Sequence, residues 1–243
     1  MDRATLAADL QAEVRPAAGR LFGEMVRRRL RREPVAYILG RKGFRRLELA
    51  VDRRVLIPRP ETELLVEMAL DLQPGKVLDV GTGSGAIALA VADELPGCAV
   101  TAVDTSAAAL EVARANAEGL GFADRVRFLE GSVPEGEFDL ILANLPYVSE
   151  REWPALQPEV TQWEPREALL AGPDGLDAYR FFLRERGRAL ATYGGRSSTT
   201  LAVEVGEGQA ATVAELMREA GFGRTETRCD LAGIERVVIG TGG

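Results

Sequence analysis

The residues Asn144-Leu145-Pro146-Tyr147 follow directly on the apolar run FDLILA at 138–143, so a side-chain amide stands where a buried strand must end. The nitrogen of an amide or an exocyclic amine is a poor nucleophile, because its lone pair is delocalised. An Asn carbonyl oxygen, together with a nearby backbone carbonyl, can accept both N–H bonds of such a group, turn its nitrogen toward an electrophile and stabilise the positive charge that develops. Pro146 stiffens the turn, and Tyr147 offers a flat apolar face for a planar group. Asn144, Pro146 and Tyr147 are therefore candidate catalytic residues, and with Leu145 they are candidate substrate-binding residues.

A second constellation lies upstream, where KVLDV at 76–80 runs into Gly81-Thr82-Gly83-Ser84-Gly85 and then a helical pattern. Glycines at a strand-to-helix turn permit positive φ and let a ligand approach bare backbone, at the strand ends where open α/β sheets bind ligands. The spacing is G-x-G-x-G rather than the G-x-G-x-x-G of dinucleotide binders, and the Lys-Ser/Thr of a phosphate loop is missing. The next strand-like run ends in Asp104, about 20 residues on, where a carboxylate can accept hydrogen bonds from both hydroxyls of a ribose. A ligand with a ribose and no pyrophosphate is favoured, with NAD as the rival.

Composition removes other chemistries. The chain has no histidine, which takes away the commonest general base, Ser-His triads and most catalytic metal sites, so no metal is expected. Its 30 basic and 37 acidic residues give a formal charge of −7, and no global field would hold a polyanion. Cys98 and Cys229 lie far apart in strand-like stretches, which favours buried thiols over a disulfide framework and fits a reducing compartment. Without a signal-like apolar core at the N-terminus or a run of roughly 18 apolar residues, a cytoplasmic protein with no membrane partner is expected.

The elements that must carry these residues follow from periodicity. With 243 residues and 46% apolar content, the chain can build one large α/β domain and a small accessory element. Residues 2 to 32 show helical spacing (Leu6, Leu10, then Leu21, Phe22, Met25, Val26, Leu30) interrupted at Pro16, which predicts two short helices. The run Arg27, Arg28, Arg29, Arg31, Arg32 reads as a solvated face near a helix C-terminus, with a contact to ribosomal or tRNA-like surfaces as the alternative. Val35 to Leu56 reads as strand-like, a linker or hairpin. Thr62 is a plausible N-cap for a helix with the stripe Leu64, Leu65, Met68, Ala69, Leu72. From there strands and helices alternate: strands at 76–80, 98–104, 125–130, 138–143 and 200–205, helices from about 85, from Ser106, around Leu176, Tyr179, Phe182, Leu183 and Leu190, and one ending at Gly221. This predicts a mostly parallel sheet covered on both faces. The last strands, TETRCD at 225–230 and IERVVI at 234–239, are joined by three residues, too few for a crossover, and must form an antiparallel hairpin at a sheet edge.

The glycine turn, Asp104 and the closing hairpin together resemble the class I S-adenosylmethionine methyltransferases. Asn144-Leu145-Pro146-Tyr147 resembles the (Asp/Asn)-Pro-Pro-(Tyr/Phe) motif of amino methyltransferases, which act on exocyclic base amines or glutamine amides. With EPVAYILGRKGF at 33–44, VLIPRPETELLVE at 55–67, VLDVGTGSGAIALA at 77–90, GPDGLDAYR at 172–180 and DLAGIERVV at 230–238, most of the chain is similar to the release factor glutamine methyltransferases, the HemK/PrmC group. The resemblance implies an α/β fold, a Rossmann-like seven-stranded sheet with an antiparallel C-terminal hairpin. It divides the chain into a short helical element at 1–34, a β-hairpin linker at 35–58 and a methyltransferase domain at 59–243. It implies S-adenosyl-L-methionine as methyl donor, bound by Gly81, Thr82, Gly83, Ser84, Gly85, Asp104, Val133 and Asn144, with Val133 against the adenine. It implies class 1 peptide chain release factors as partners, methylated at N5 of the glutamine in their Gly-Gly-Gln loop, with no direct nucleic-acid substrate. Arg59-Pro60-Glu61-Thr62 belongs to the pattern, either as an ion pair with a helix cap or as a border of the substrate site. The family has Pro where this chain has Leu145; leucine keeps the backbone carbonyl, so what changes is loop rigidity. Only about 33 residues precede EPVAYILG, where the family has a longer helical domain, so that domain reads as abbreviated or the chain as truncated. Two alternatives stay open: a methyltransferase for adenine N6 or guanine N2 in nucleic acid, and a catalytically weak module that docks on release factors.

Overall fold

In Val77-Leu78 and Leu140-Ile141-Leu142, neighbouring side chains are all apolar although they point to opposite faces of a strand, so both faces must be covered. The computed structural model describes residues 15–193 and 199–242, with the side chains of 186–193 outside the description. Seven strands form one sheet: β3 (Lys76–Val80), β4 (Ala99–Asp104), β5 (Val126–Glu130), β6 (Leu140–Ala143), β7 (Thr200–Glu204), β8 (Phe222–Cys229) and β9 (Glu235–Gly242), in the order β5-β4-β3-β6-β7-β9-β8. β9 alone runs against the rest. It pairs antiparallel with both β7 and β8, so the predicted closing hairpin is present but inserted, with β8 as the edge. Val77, Leu140, Leu142 and Ala202 face α3 (Glu63–Leu72) and α4 (Ala86–Glu94). On the other face Leu78, Ile141, Leu201 and Val203 pack against α7 (Asp177–Tyr193) and α8 (Ala210–Glu219). Of the predicted stripe on α7, the Leu190 side chain lies outside the described residues.

The N-terminal segment departs from its sequence reading. The helix predicted around Leu6 and Leu10 lies outside the described residues; the next, α1 (Pro16–Leu30), starts with Pro16 in its first turn, where the missing N–H costs nothing. Val35–Leu39 is a short helix, α2, and not the start of a strand. Gly40, at φ 69°, ends it, and Arg28 donates to the carbonyls of Tyr37 and Ile38 at its open end. That long-range cap outweighs the strand preference of Val, Tyr and Ile. The hairpin itself is shorter than expected, β1 (Arg41–Phe44) against β2 (Leu47–Ala50). Tyr37, Val51, Val55 and Ile57 then pack on Ala109 and Val112 of α5 (Ala107–Leu120), fixing this segment beside the sheet's carboxyl edge.

The arginine run is only partly a solvated face. Arg28 pairs with Glu33, and Arg29 and Arg32 both reach Glu159 in the first turn of α6 (Pro158–Thr161). Cys98 is buried as expected, but Cys229 is exposed, because β8 is an edge strand whose outer face meets solvent.

Candidate active site

After β3 the chain winds to one side through β4 and β5, then returns to place β6 on the other side of β3. The carboxyl ends of β3 and β6, in register at Val80 and Ala143, flank the crevice that this reversal opens. Gly81, Gly83 and Gly85 all take positive φ there. A Cβ on Gly81 would make only ordinary contact, at 3.6 Å, with the Asn144 carbonyl and a Leu145 methyl carbon, so it is the φ of +73° that calls for glycine where the two strand ends meet. The Gly81 and Thr82 amides donate to the Val103 carbonyl at 2.9 and 3.0 Å, which docks the turn on β4. Asp104 closes it: Oδ2 accepts from Gly83 N and Oδ1 from Ser106 N, each at 2.9 Å. Each oxygen keeps a lone pair for a ligand.

Thr82, Ser84 and Gly85 work behind this surface. The Thr82 hydroxyl donates to Asp79 Oδ2 at 2.6 Å. The Ser84 carbonyl accepts from Asn116 of α5, whose amide also pairs with the backbone of Ala50. Gly85 leaves room for Leu89, which would lie 3.0 Å from a Cβ.

Asn144 sits half-buried at the rim, and its partner is Thr62: Asn144 Nδ2 donates to Thr62 Oγ1 at 3.0 Å. Thr62 makes no side-chain cap to α3. The turn Pro60–Thr62 already enters the helix with helical backbone angles, φ −64° and ψ −20° at Thr62, so the N-cap reading gives way and the hydroxyl faces the site. Beside it lies Glu204, at the end of β7 and 2% exposed. Burial pushes its carboxyl up to about 7; the charge of Glu61 adds to the rise, while the Thr62 and Tyr147 hydroxyls and Arg236 oppose it. Tyr147 Oη approaches Glu204 Oε1 at 3.4 Å, and Glu204 Oε2 has no partner in good hydrogen-bond geometry. Arg59 forms an ion pair with buried Glu164, which also accepts from Ile57 N.

A cavity of about 350 Å³ opens over the turn. Gly81, Gly83, Asp104, Asn144, Leu145 and Pro146 line it, with Leu56, Ala109, Gly131, Ser132 and Phe182. The structure thus brings the two constellations to one cavity. Thr82, Ser84, Gly85, Val133 and Tyr147 stand outside its lining: Val133 packs against the core, and Gly131 and Ser132 present the surface next to it. Tyr147 directs its hydroxyl to Glu204, and its carbonyl accepts from Gln209 Nε2 at 2.9 Å. Sequence reasoning missed Glu204, Gln209, Asn116 and Glu164. The sign available in sequence was a carboxylate at the end of an apolar strand, Glu204 in TLAVEV and Asp79 in KVLDV.

Asp79 is fully buried, and burial raises its carboxyl to about 7 against the hydrogen bonds from Thr82 and Ala88. For Asp79 and Glu204 the folded pKa exceeds the unfolded one, so their contribution to stability is complete below the unfolded values and is lost as pH rises through about 7. The carboxylates held low by arginines, such as Glu94 and Asp52, act only at lower pH. Urea midpoints are therefore expected to fall between about pH 5.5 and 8, with a smaller fall in Asp79→Asn. A midpoint independent of pH would show that these carboxyls ionise without cost.

Comparison with known proteins adds the relatives. Residues 60–161 match the family described as Methyltransferase small domain, and residues 1–40 match the PrmC N-terminal domain. The release factor glutamine methyltransferase of Gloeobacter violaceus is 46% identical over 215 residues, covering 85% of this chain and 73% of its own. That of Geobacter sulfurreducens is 42% identical over 246 residues, covering 99% and 84%. Among solved structures, a methyltransferase from Pyrococcus furiosus superposes with TM-score 0.58 at 18% identity, covering 81% of this chain and 89% of its own. The hMettl16 catalytic domain, solved with an RNA hairpin, superposes with TM-score 0.60 at 15% identity, covering 79% and 74%. These two likenesses concern the fold.

Proposed function

The chain belongs to the release factor glutamine methyltransferases, and from that premise we propose that it methylates N5 of the glutamine in the Gly-Gly-Gln loop of class 1 peptide chain release factors. S-adenosylmethionine supplies a methyl group on a sulfonium; the amide nitrogen takes the methyl and gives up one proton to solvent, and S-adenosylhomocysteine remains. The cavity suits such a donor: a bare glycine turn, a carboxylate with lone pairs to spare at Asp104, and apolar walls from Leu56, Ala109 and Phe182. Gly81, Gly83 and Asp104 hold the donor directly, with Thr82, Ser84, Gly85 and Val133 shaping the turn and floor from behind. Asn144, Leu145 and Pro146 receive the glutamine amide, and Tyr147 anchors their loop. Proximity and orientation by this loop supply much of the acceleration.

One observation carries the reading. Asn144, at the junction of β3 and β6, has its NH₂ end taken by Thr62, which leaves its oxygen to accept an N–H from a substrate amide beside the donor cavity. The chain acts in the cytoplasm on a protein partner; among the described residues no helix is long and apolar enough to cross a membrane. The test is incubation with methyl-labelled donor and either a class 1 release factor, the same factor with its Gly-Gly-Gln glutamine replaced, or an oligonucleotide. Label is expected on that glutamine alone. Label on the oligonucleotide would move the activity to nucleic acid, and donor binding without transfer to any of the three would leave a docking module.

A further inference from the structure

Three polar side chains from distant parts of the chain meet behind the cavity rim: Asn144 after β6, Thr62 before α3 and Glu204 at the end of β7. We propose that Thr62 and Glu204 are positioning residues that set which end of the Asn144 amide faces the substrate. The proposal rests on the reading of Asn144 as the acceptor for the glutamine amide.

The polarity follows from donor counting. An ionised carboxylate can only accept, and a threonine hydroxyl has one proton. Glu204 Oε2 is buried with no partner in good geometry, and the neighbouring Thr62 hydroxyl is a donor that can turn its proton to the carboxylate when Glu204 is ionised. The Thr62 oxygen is then an acceptor, so it takes Asn144 Nδ2, the contact seen at 3.0 Å. Asn144 Oδ1 is left for an incoming N–H. Protonation of Glu204 reverses the chain of donors. The acid gives its proton to Thr62, Thr62 donates to Asn144 Oδ1, and the amide turns its NH₂ toward the cavity, where it cannot accept from the substrate.

Glu204 is surrounded for such a role. Glu61 faces it from the turn before α3, Tyr147 from the loop after β6, Tyr179 from α7 and Arg236 from β9; Tyr179 Oη also donates to the Glu204 backbone carbonyl at 2.7 Å. With the carboxyl near 7, turnover is expected to rise as pH climbs through that value.

The test measures kcat, KM for a class 1 release factor and S-adenosylmethionine affinity in the wild type, Thr62→Val, Thr62→Ser and Glu204→Gln, between about pH 6 and 9. Thr62→Val is expected to lose roughly tenfold or more in kcat with donor affinity kept within about threefold, and Thr62→Ser to recover it. Glu204→Gln should lose the acid limb of the wild-type profile, which a purely structural role would leave in place. A Thr62→Val enzyme with wild-type kcat overturns the proposal, as does a Glu204→Gln enzyme that keeps the acid limb. Should Thr62→Val fail to fold, the Glu204→Gln profile decides alone. Failure of the wild type to methylate the release factor would instead remove the functional reading beneath it, so the two failures are distinct.

Discussion

Asn144→Ala is expected to lower kcat for glutamine methylation by roughly 100-fold or more while holding S-adenosylmethionine affinity within about threefold. A planar amide nitrogen becomes a nucleophile only when it is held side-on to the electrophile and the charge it gains is spread onto acceptors. Those hydrogen bonds strengthen as the N–H groups become more acidic in the transition state, so their loss appears in kcat more than in binding. A 100-fold loss corresponds to about 2.7 kcal/mol, within the range for removing one preorganised group from a reacting centre. The donor cavity, by contrast, keeps Gly81, Gly83 and Asp104, none of which depends on the Asn144 side chain. The fold should also survive. The half-buried Asn144 side chain gives up one hydrogen bond, to Thr62, worth about 1 kcal/mol. Single-turnover rates with saturating release factor, set beside donor titrations, separate the two effects; undiminished turnover in this variant would contradict the role assigned to the amide.

What could be seen in the sequence was whatever is local to one strand end. The glycine turn, Asp104 and Asn144 each follow directly on an apolar strand, and a parallel sheet gathers all such ends on one edge, so their meeting was legible before any coordinates. The groups that orient them were not. Thr62 lies 82 residues from Asn144, Glu204 lies 57 from Tyr147, and Gln209 lies 62 from the carbonyl it holds; no periodicity links such positions. Thr62 was masked by a local pattern, because threonine ahead of an apolar helical stripe is also how an N-cap is written. Tyr147 reads as a stacking surface from its type alone, yet an acceptor at Glu204 draws its hydroxyl inward. Val35–Leu39 fails for the same reason at larger scale: its β-branched and aromatic residues favour a strand, and a guanidinium from α1 settles it as a helix.

Gly175→Ala is expected to cost about 3 kcal/mol of folding stability, a fall of about 6–12 °C in melting temperature. Gly175 sits at φ +78°, where a Cβ alone is penalised by about 1–2 kcal/mol. The larger part is steric: the added carbon would lie 2.4 Å from the Tyr147 carbonyl oxygen, 2.8 Å from Gln209 Nε2 and 3.2 Å from Ser149 N. Two of the three are backbone atoms with little room to withdraw. The Tyr147 carbonyl is held by Gln209, and the next residue, Val148, is pinned by hydrogen bonds to Leu169 and Ala171 on either side. Gly208 provides the comparison, since it has nearly the same φ, +79°, with nothing within 4 Å of a Cβ. Gly208→Ala should therefore show the backbone penalty alone, about 1 kcal/mol. The difference between the two melts measures how tightly the Tyr147 carbonyl is seated. Because Tyr147 is only three residues from Asn144, the displaced loop should also lose turnover at temperatures where Gly175→Ala remains folded, whereas Gly208→Ala should not. Equal melting temperatures for the two variants would mean that the loop yields, and that Gln209 and Gly175 do not hold the catalytic turn in place.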